Sequence, residues 1–216
     1  DGVSFLVSGN GLNDTFVTAN GGRLEIPNLL AGEYTVTEQV DGAYEPQKSQ
    51  MVTVVPGQTT TVTFSNTLKR GGLRVVKTSE DNWLEGHTFR LSGTSLSGDR
   101  VEVYAKTNSA GVAEFRDVLV SGNAPYVLEE VDTDERYVVP SAQNVLVEWN
   151  KVTDKTVVNR LKKWSLTVSK VDAETGKPME GVQFRLLDSQ KREISVFTTN
   201  RNGHITLTGL DGGTTV

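Results

Sequence analysis

One lysine, one glutamate and one asparagine in the middle of the sequence have the types and spacing of a group that could react with itself. Each alternates with apolar neighbours: Lys77 in Leu-Arg-Val-Val-Lys, Glu130 in Tyr-Val-Leu-Glu-Glu, and Asn159 in Val-Val-Asn-Arg-Leu. In a β-strand this alternation places all three on the apolar face. An isolated charge on a core face is costly unless it is paired or neutralised, so three such residues need a joint explanation.

A covalent reaction is one explanation. Burial disfavours the charged forms of amines and carboxylic acids, so a buried lysine and a buried glutamate can coexist as neutral groups. The neutral amine of Lys77 is then a nucleophile, and Glu130 can polarise the Asn159 carboxamide and shuttle protons. Loss of ammonia would leave an amide bond between the Lys77 and Asn159 side chains, with folding supplying the proximity.

A non-covalent interpretation stays open beside it. Lys77 could extend its amine to solvent, Glu130 could pair with it as a partly exposed ion pair, and Asn159 could be a turn or edge residue. Any one of the three residues taken alone favours this non-covalent interpretation. The ordered set of three favours the covalent one.

The same signatures recur with a common period, which decides the organisation of the chain. The residues that carry chemistry in the outer copies are Glu38, Asn66 and Lys170. They lie 92, 93 and 93 residues from Glu130, Asn159 and Lys77, respectively. Three unrelated signatures that share one period predict repeated copies of one β unit.

We therefore predict three units. Residues 1–68 form a first unit that lacks the lysine strand, residues 69–161 a complete middle unit, and residues 162–216 a third unit that stops before its glutamate and asparagine strands. Glu38 is the equivalent of Glu130 in the first unit, and Asn66 and Lys170 need partners from outside this sequence. The junctions at 69–72 and 162–163 are too short for flexible linkers, which predicts a semi-rigid, rod-like array.

The composition predicts an all-β chain. Val and Thr, which are branched at Cβ and favour strands, far outnumber Ala, and 21 glycines can supply turns. Period-2 alternation predicts strands at residues 2–8, 33–39, 51–55, 59–64, 73–77, 126–131 and 155–161, among others, while Gly71 and Gly72 are predicted to lie in a turn. No segment of 12 or more residues has a convincing helical period, and the turn spacing of about 8–12 residues is typical of a β-sandwich.

Charge and composition exclude several function classes. The chain has 22 Lys+Arg against 27 Asp+Glu, a net charge of -5, which argues against nucleic acid as a partner. No apolar run approaches the roughly 18 residues of a membrane span, so no membrane insertion is expected in this segment. Cysteine is absent, which excludes a thiol nucleophile, disulfides and a Cys/His zinc site. His87 and His204 open predicted strands and are interpreted as solvent-edge residues rather than general bases.

The order of these motifs resembles the collagen-adhesin B-type (CnaB, SpaA-like pilin) domain of Gram-positive surface proteins and pilins. Residues 170–184, Lys-Val-Asp-Ala-Glu-Thr-Gly-Lys-Pro-Met-Glu-Gly-Val-Gln-Phe, closely resemble the opening of such a domain. The resemblance covers essentially the whole chain. It implies tandem transthyretin-like or inverse-immunoglobulin β-sandwiches and a spontaneous Lys–Asn isopeptide bond, with Lys77 as nucleophile, Glu130 as proton shuttle and Asn159 as electrophile.

The function expected from this resemblance is that of a structural stalk or shaft segment of a cell-wall-attached adhesin or pilus-like protein. The expected partners are neighbouring repeats of the same chain, with a host extracellular-matrix or cell-surface protein as a further candidate. No cofactor or metal is expected, and the cross-link would be self-modification rather than enzymatic turnover. The alternatives are a host-protein-binding module and a subunit that polymerises by intermolecular strand complementation.

Overall fold

The computed structural model describes residues 1–188 and 190–211, with the side chains of 210 and 211 left out. The described part of the chain consists of strands and loops without a helix, which confirms the all-β prediction. It accordingly contains no helix long and apolar enough to cross a membrane. The strands are β1 Ser4–Gly9, β2 Leu12–Val17, β3 Gly32–Gln39, β4 Gln50–Val54, β5 Arg70–Ser79, β6 Thr88–Thr94, β7 Arg100–Lys106, β8 Val112–Leu119, β9 Tyr126–Val131, β10 Tyr137–Val138, β11 Gln143–Val145, β12 Val152–Leu161, β13 Lys163–Ser169, β14 Gln183–Leu187, β15 Glu193–Thr198 and β16 His204–Asp211.

The first unit contains one antiparallel sheet with the order β2-β1-β3-β4. Its core is formed by Phe5, Val7, Tyr34 and Val36, and most of the other apolar side chains around them are only partly buried. Val62 and Phe64 pack against this core, but residues 59–64 do not form the strand that their alternation predicts. That prediction was wrong because alternation indicates only which side chains are buried. A strand also needs backbone hydrogen bonds to a neighbouring strand.

The middle unit contains two four-stranded sheets, ordered β10-β12-β5-β8 and β11-β9-β6-β7. They enclose one core in which Leu73, Val75, Phe89, Leu91 and Tyr126 are fully buried. β5 and β12 run parallel, and theirs is the only parallel strand pair among the described residues. The first and last long strands of this unit are therefore direct neighbours.

Two glycines predicted to form a turn lie inside a strand instead. β5 begins at Arg70, so Gly71 and Gly72 are part of its ladder. A Cβ on Gly71 would collide with the backbone carbonyl of Glu148, so the absence of a side chain is required by close backbone approach. The sequence alone could not distinguish this use of glycine from a turn.

The third unit contains the pairs β13-β16 and β14-β15. Leu186, Ile205 and Leu207 form its small core. Lys69 contacts both of the first two units: its amine donates to the Gly42 carbonyl at 2.8 Å and lies 5.2 Å from the centre of the Trp149 ring.

Candidate functional site

Lys77 is completely enclosed by the middle unit. Its side chain is 0% exposed, and its amine donates to the Thr78 carbonyl at 2.9 Å and lies 3.8 Å from Glu130 Oε2. Burial lowers the pKa of Lys77 from its usual 10.5, while the carboxylates of Glu130 and Asp81 act in the opposite direction. The net effect favours the neutral amine, which is the nucleophilic form.

Glu130 joins the lysine to the asparagine. Its side chain is 1% exposed, and Oε1 accepts a hydrogen bond from Asn159 Nδ2 at 2.9 Å. Among the described residues, Glu130 Oε2 and Asn159 Oδ1 are buried without a hydrogen-bond partner. Two buried acceptors without donors are costly.

The strand arrangement explains how these residues meet. Lys77 on β5 is opposite Val157 on the parallel strand β12, and Asn159 lies two residues farther along the same face. Glu130 reaches them from β9 in the facing sheet, where it is opposite Phe89 of β6. Lys77 and Asn159 thus come from neighbouring strands, and Glu130 comes from across the core.

The prediction that His87 is a solvent-edge residue was wrong. His87 is only 7% exposed, its Nδ1 lies 3.0 Å from Glu130 Oε1, and its Nε2 lies 3.0 Å from the Trp83 carbonyl oxygen. The Trp83 and Tyr137 rings cover it, with centroids 5.0 and 6.2 Å from the imidazole. His204 is exposed, as predicted.

Contacts among Asp81, Tyr137 and Arg136, here called the polar clasp, hold the Trp83 and Tyr137 rings over His87. Tyr137 Oη lies 2.8 Å from both carboxylate oxygens of Asp81, and Arg136 lies over the Trp83 ring at 4.7 Å. Although partial burial acts to raise the pKa of Asp81, hydrogen bonds from Ser79, Tyr137 and the Trp83 backbone lower that pKa to about 2. The carboxylate is therefore charged across the neutral range and keeps the clasp closed.

The first unit repeats part of the site. Asn66 Nδ2 donates to Glu38 Oε1 at 2.6 Å, and Glu38 Oε2 is buried without a partner among the described residues. Glu38 is opposite Phe5, as Glu130 is opposite Phe89. The glutamate–asparagine pair is thus present twice, once with a lysine and once without.

A buried threonine that the sequence reasoning missed fixes the residue before the phenylalanine strand in every unit. Its hydroxyl accepts from the backbone N–H of that residue at 2.9–3.0 Å, and its own N–H donates back to the residue's carbonyl. The pairs are Val3–Thr18, His87–Thr107 and Val182–Thr199. The signal was available, since each threonine precedes one of the recurrent Asn- and Gly-containing turns.

Lys170 in the third unit has the local geometry of Lys77. Its backbone N–H donates to the Gly203 carbonyl, as that of Lys77 donates to Gly111, and its amine donates to the next carbonyl at 3.0 Å. Lys170 is half-buried. The structure thus brings together Lys77, Glu130 and Asn159, and separately Glu38 and Asn66, while Lys170 lies apart from both groups.

Comparison with known families gives a match at the end of the chain. Residues 164–216 match the family model of the SpaA prealbumin-like fold domain. This match confirms, for the third unit, the resemblance to SpaA-like pilin domains predicted from its opening motif. A comparison with curated protein sequences gives no match.

Solved structures extend the likeness in fold to nearly the whole chain. The Bacillus anthracis TIE protein superposes over 96% of this chain with a TM-score of 0.74 at 23% identity, and the chain spans only 40% of that protein. A streptococcal ancillary pilin covers 92% of the chain at 17% identity and a TM-score of 0.40, with 69% of its own length matched. The minor pilin GBS52 of Streptococcus agalactiae covers 80% at 15% identity and a TM-score of 0.36, with 87% of its own length matched.

Proposed function

We propose that this chain is a structural segment of a surface adhesin or pilus-like protein of a Gram-positive bacterium, and that its middle unit is closed by an isopeptide bond between Lys77 and Asn159. The units would stack into a stalk outside the cell wall, with neighbouring repeats as their principal partners. The bond would protect the stalk against unfolding and proteolysis without cysteine. It forms once per molecule, so the chain acts on itself and is not an enzyme.

The observation that carries this proposal is the burial of three polar side chains in one contact group. A lysine, a glutamate and an asparagine in a core are expensive to keep as charged or unpaired groups. Lys77 and Glu130 are 3.8 Å apart, and Glu130 also contacts the Asn159 amide. Conversion of the Lys77 amine to a neutral amide removes the charge that the amine would carry, and so removes the cost of burying that charge.

Intact mass of the full chain tests the proposal. We expect the wild type to be lighter than its sequence mass by one ammonia molecule. Lys77→Ala, Glu130→Ala and Asn159→Ala should each restore the sequence mass, because they remove the nucleophile, the proton shuttle and the electrophile, respectively.

Lys170→Ala is the matched control, since this lysine has the same backbone hydrogen bonds as Lys77 but, among the described residues, no ion pair with a glutamate. It should keep the mass deficit. A wild-type mass equal to the sequence mass would contradict the bond and leave Lys77, Glu130 and Asn159 as a polar cluster.

A second candidate function, assembly by strand complementation, is favoured by one observation. In the described part of the first unit, residues 59–66 lie beside the core without a strand partner, and Glu38 and Asn66 form their pair without a lysine. A lysine-bearing strand from another molecule would complete this edge. Covalent ladders of the purified chain on a denaturing gel would support assembly, and a single monomer band would contradict it.

A further inference from the structure

The two nitrogens of His87 define where a proton must lie. Nε2 faces the Trp83 carbonyl oxygen at 3.0 Å, and a carbonyl oxygen only accepts, so Nε2 carries a hydrogen. In the neutral imidazole, Nδ1 is then an acceptor. Its neighbour at 3.0 Å is Glu130 Oε1, so this contact is a hydrogen bond only if a proton lies between the two atoms.

That proton can be placed in two ways. Either Glu130 is a carboxylic acid that donates from Oε1 to Nδ1, or His87 is an imidazolium that donates to a carboxylate. A carboxylate beside a neutral imidazole would bring two lone pairs face to face, and these would repel each other. In both of the allowed arrangements, the Glu130–His87 pair therefore holds one proton more than that. In both cases the histidine keeps a proton between Nδ1 and Oε1, and the form with that proton on Oε1 is the one that can protonate a leaving group.

Oε1 is also the oxygen that faces the leaving group. Asn159 Nδ2 is 2.9 Å from Oε1, whereas the Lys77 amine is nearest to Oε2 at 3.8 Å. Oε2 has no hydrogen-bond partner among the described residues. The two oxygens are thus divided between the two halves of the reaction.

We propose that His87 is a positioning residue for isopeptide formation, which keeps the Glu130 proton on Oε1 and leaves Oε2 free to receive the proton of the Lys77 amine. This proposal rests on the cross-link of the proposed function and adds to it a residue and a direction of proton movement.

The step balances without an outside reactant. The Lys77 nitrogen attacks Asn159 Cγ, and a proton of the amine passes to Glu130 Oε2. The proton on Oε1 passes to Asn159 Nδ2, the Cγ–Nδ2 bond breaks, and ammonia leaves. Glu130 ends as the acid again, with its proton on the other oxygen, and one amide bond replaces another.

The groups around His87 are consistent with this role. Glu130 approaches from β9 and Tyr137 from β10, while Trp83 and the Thr107 hydroxyl complete the enclosure. The charged groups beyond them are Lys77 behind Glu130, Asp81 behind Tyr137 and Arg136 over the outer rings. In the described part of the site, Glu130 is the only titratable side chain hydrogen-bonded to His87.

The fold does not need a histidine here. Val3 and Val182 occupy the equivalent positions of the other units, with the same pair of threonine hydrogen bonds. His87→Val is therefore a substitution that the same local backbone already accepts twice.

The test measures bond formation in the full chain as it folds. Wild type, His87→Val and His87→Asn are assembled by ligation of synthetic peptides in guanidinium, so that no chain has folded beforehand, and are checked for full sequence mass. They are then diluted into buffers from about pH 5 to pH 9, which spans the ordinary titration of histidine. The loss of ammonia is followed by intact mass. Removing a general acid or base costs about 10²–10⁴ in rate, so loss of its positioning partner should slow bond formation about tenfold at neutral pH.

In His87→Val, we expect the rate of bond formation to fall at a lower pH on the alkaline side than in the wild type. The reason is that no histidine then holds the proton on Glu130 Oε1. His87→Asn should recover part of the rate, since its side-chain oxygen can accept from Oε1. Nitrogen NMR of the unreacted Lys77→Ala chain should show the Nε2–H form of His87, with exposed His204 as the internal reference.

The outcomes separate the two proposals. A wild type that never loses ammonia contradicts the cross-link itself. A wild type that reacts, beside a His87→Val chain that folds and reacts with the same rate and pH profile, overturns the role of His87 alone. Detection of His87 as the Nδ1–H neutral form would overturn that role as well. If His87→Val does not regain its β-sheet circular dichroism, the rate and pH profile of His87→Asn decide.

Discussion

The first and middle units place the same glutamate–asparagine pair in different surroundings. In the middle unit, the pair lies against Lys77 on a neighbouring strand, under a closed aromatic cover. In the first unit, Glu38 and Asn66 are hydrogen-bonded with the same atoms, yet the described residues offer no lysine strand and the core remains partly open. The same glutamate–asparagine hydrogen bond therefore forms in both units, and among the described residues a lysine lies beside it only in the middle unit.

Loss of the cross-link should have the largest effect. The chain-entropy argument for a loop of this size gives about 4.5 kcal/mol of stabilisation, so Asn159→Ala should lower the unfolding free energy of the middle unit by about that much. Urea unfolding followed by tryptophan fluorescence reports on this unit when both chains also carry Trp164→Phe, because Trp83 and Trp149 lie in the middle unit, the first unit has no tryptophan and the third has only Trp164.

Asn66→Ala is the matched substitution in the first unit. It removes one hydrogen bond to Glu38 and no cross-link, so the mass and the tryptophan-detected transition should stay those of the wild type. Equal losses of unfolding free energy from Asn159→Ala and Asn66→Ala would show that the two units do not differ by a covalent bond.

A peptide can convert the first unit toward the middle one. Adding a synthetic strand with the sequence of Arg70–Ser79 should give a covalent adduct, whose mass is the sum of peptide and chain less one ammonia molecule. The gain in stability should be smaller than that of the internal bond, because the peptide first loses its translational freedom. A peptide with alanine in place of the lysine should give no adduct, and an adduct that survives Asn66→Ala would place the reaction elsewhere.

The pH dependence of stability should separate linked from unlinked lysine. In unlinked Asn159→Ala, burial lowers the pKa of Lys77 below 10.5, so the unfolded state binds more protons between the lowered pKa and 10.5. The free energy of unfolding should then rise with pH through that range, by up to about 1.4 kcal/mol per pH unit. If Lys77 is joined to Asn159 in the wild type as proposed, the wild type should lack this rise. Lys77→Met should lack it too; a rise in that variant would assign it to another group.

The smallest effect concerns the cover over His87. Tyr137→Phe removes the hydrogen bonds to Asp81, and should cost about 1–3 kcal/mol at neutral pH, as expected for a bond to a charged group. Because the pKa of Asp81 is lowered to about 2 from 3.8, this contribution is complete above pH 3.8 and is lost as the pH falls through 2. Urea unfolding of both chains at neutral and acid pH measures it, and a difference that stays constant down to about pH 2 would contradict the role of the carboxylate.

The sequence predicted the features that follow from strand parity and missed those that depend on contacts between distant segments. Alternation placed Lys77, Glu130 and Asn159 on inward faces because strand parity is a local property. The position of His87 could not be predicted in this way, since its burial depends on Trp83 and on Tyr137, which lies 50 residues farther along the chain. Residues 59–64 show the opposite error, in which a correct burial pattern predicted a strand that no neighbouring backbone completes.

The parallel pairing of β5 and β12 has a mechanical consequence. The unit is entered at Arg70 and left at Leu161, which lie at opposite ends of these two adjacent strands. Tension along the chain would slide the strands past each other and strain their whole ladder at once. With Lys77 joined to Asn159, the force passes through the cross-link and bypasses residues 78–158. These residues, about 270 Å long when extended, cannot then be stretched unless a covalent bond breaks.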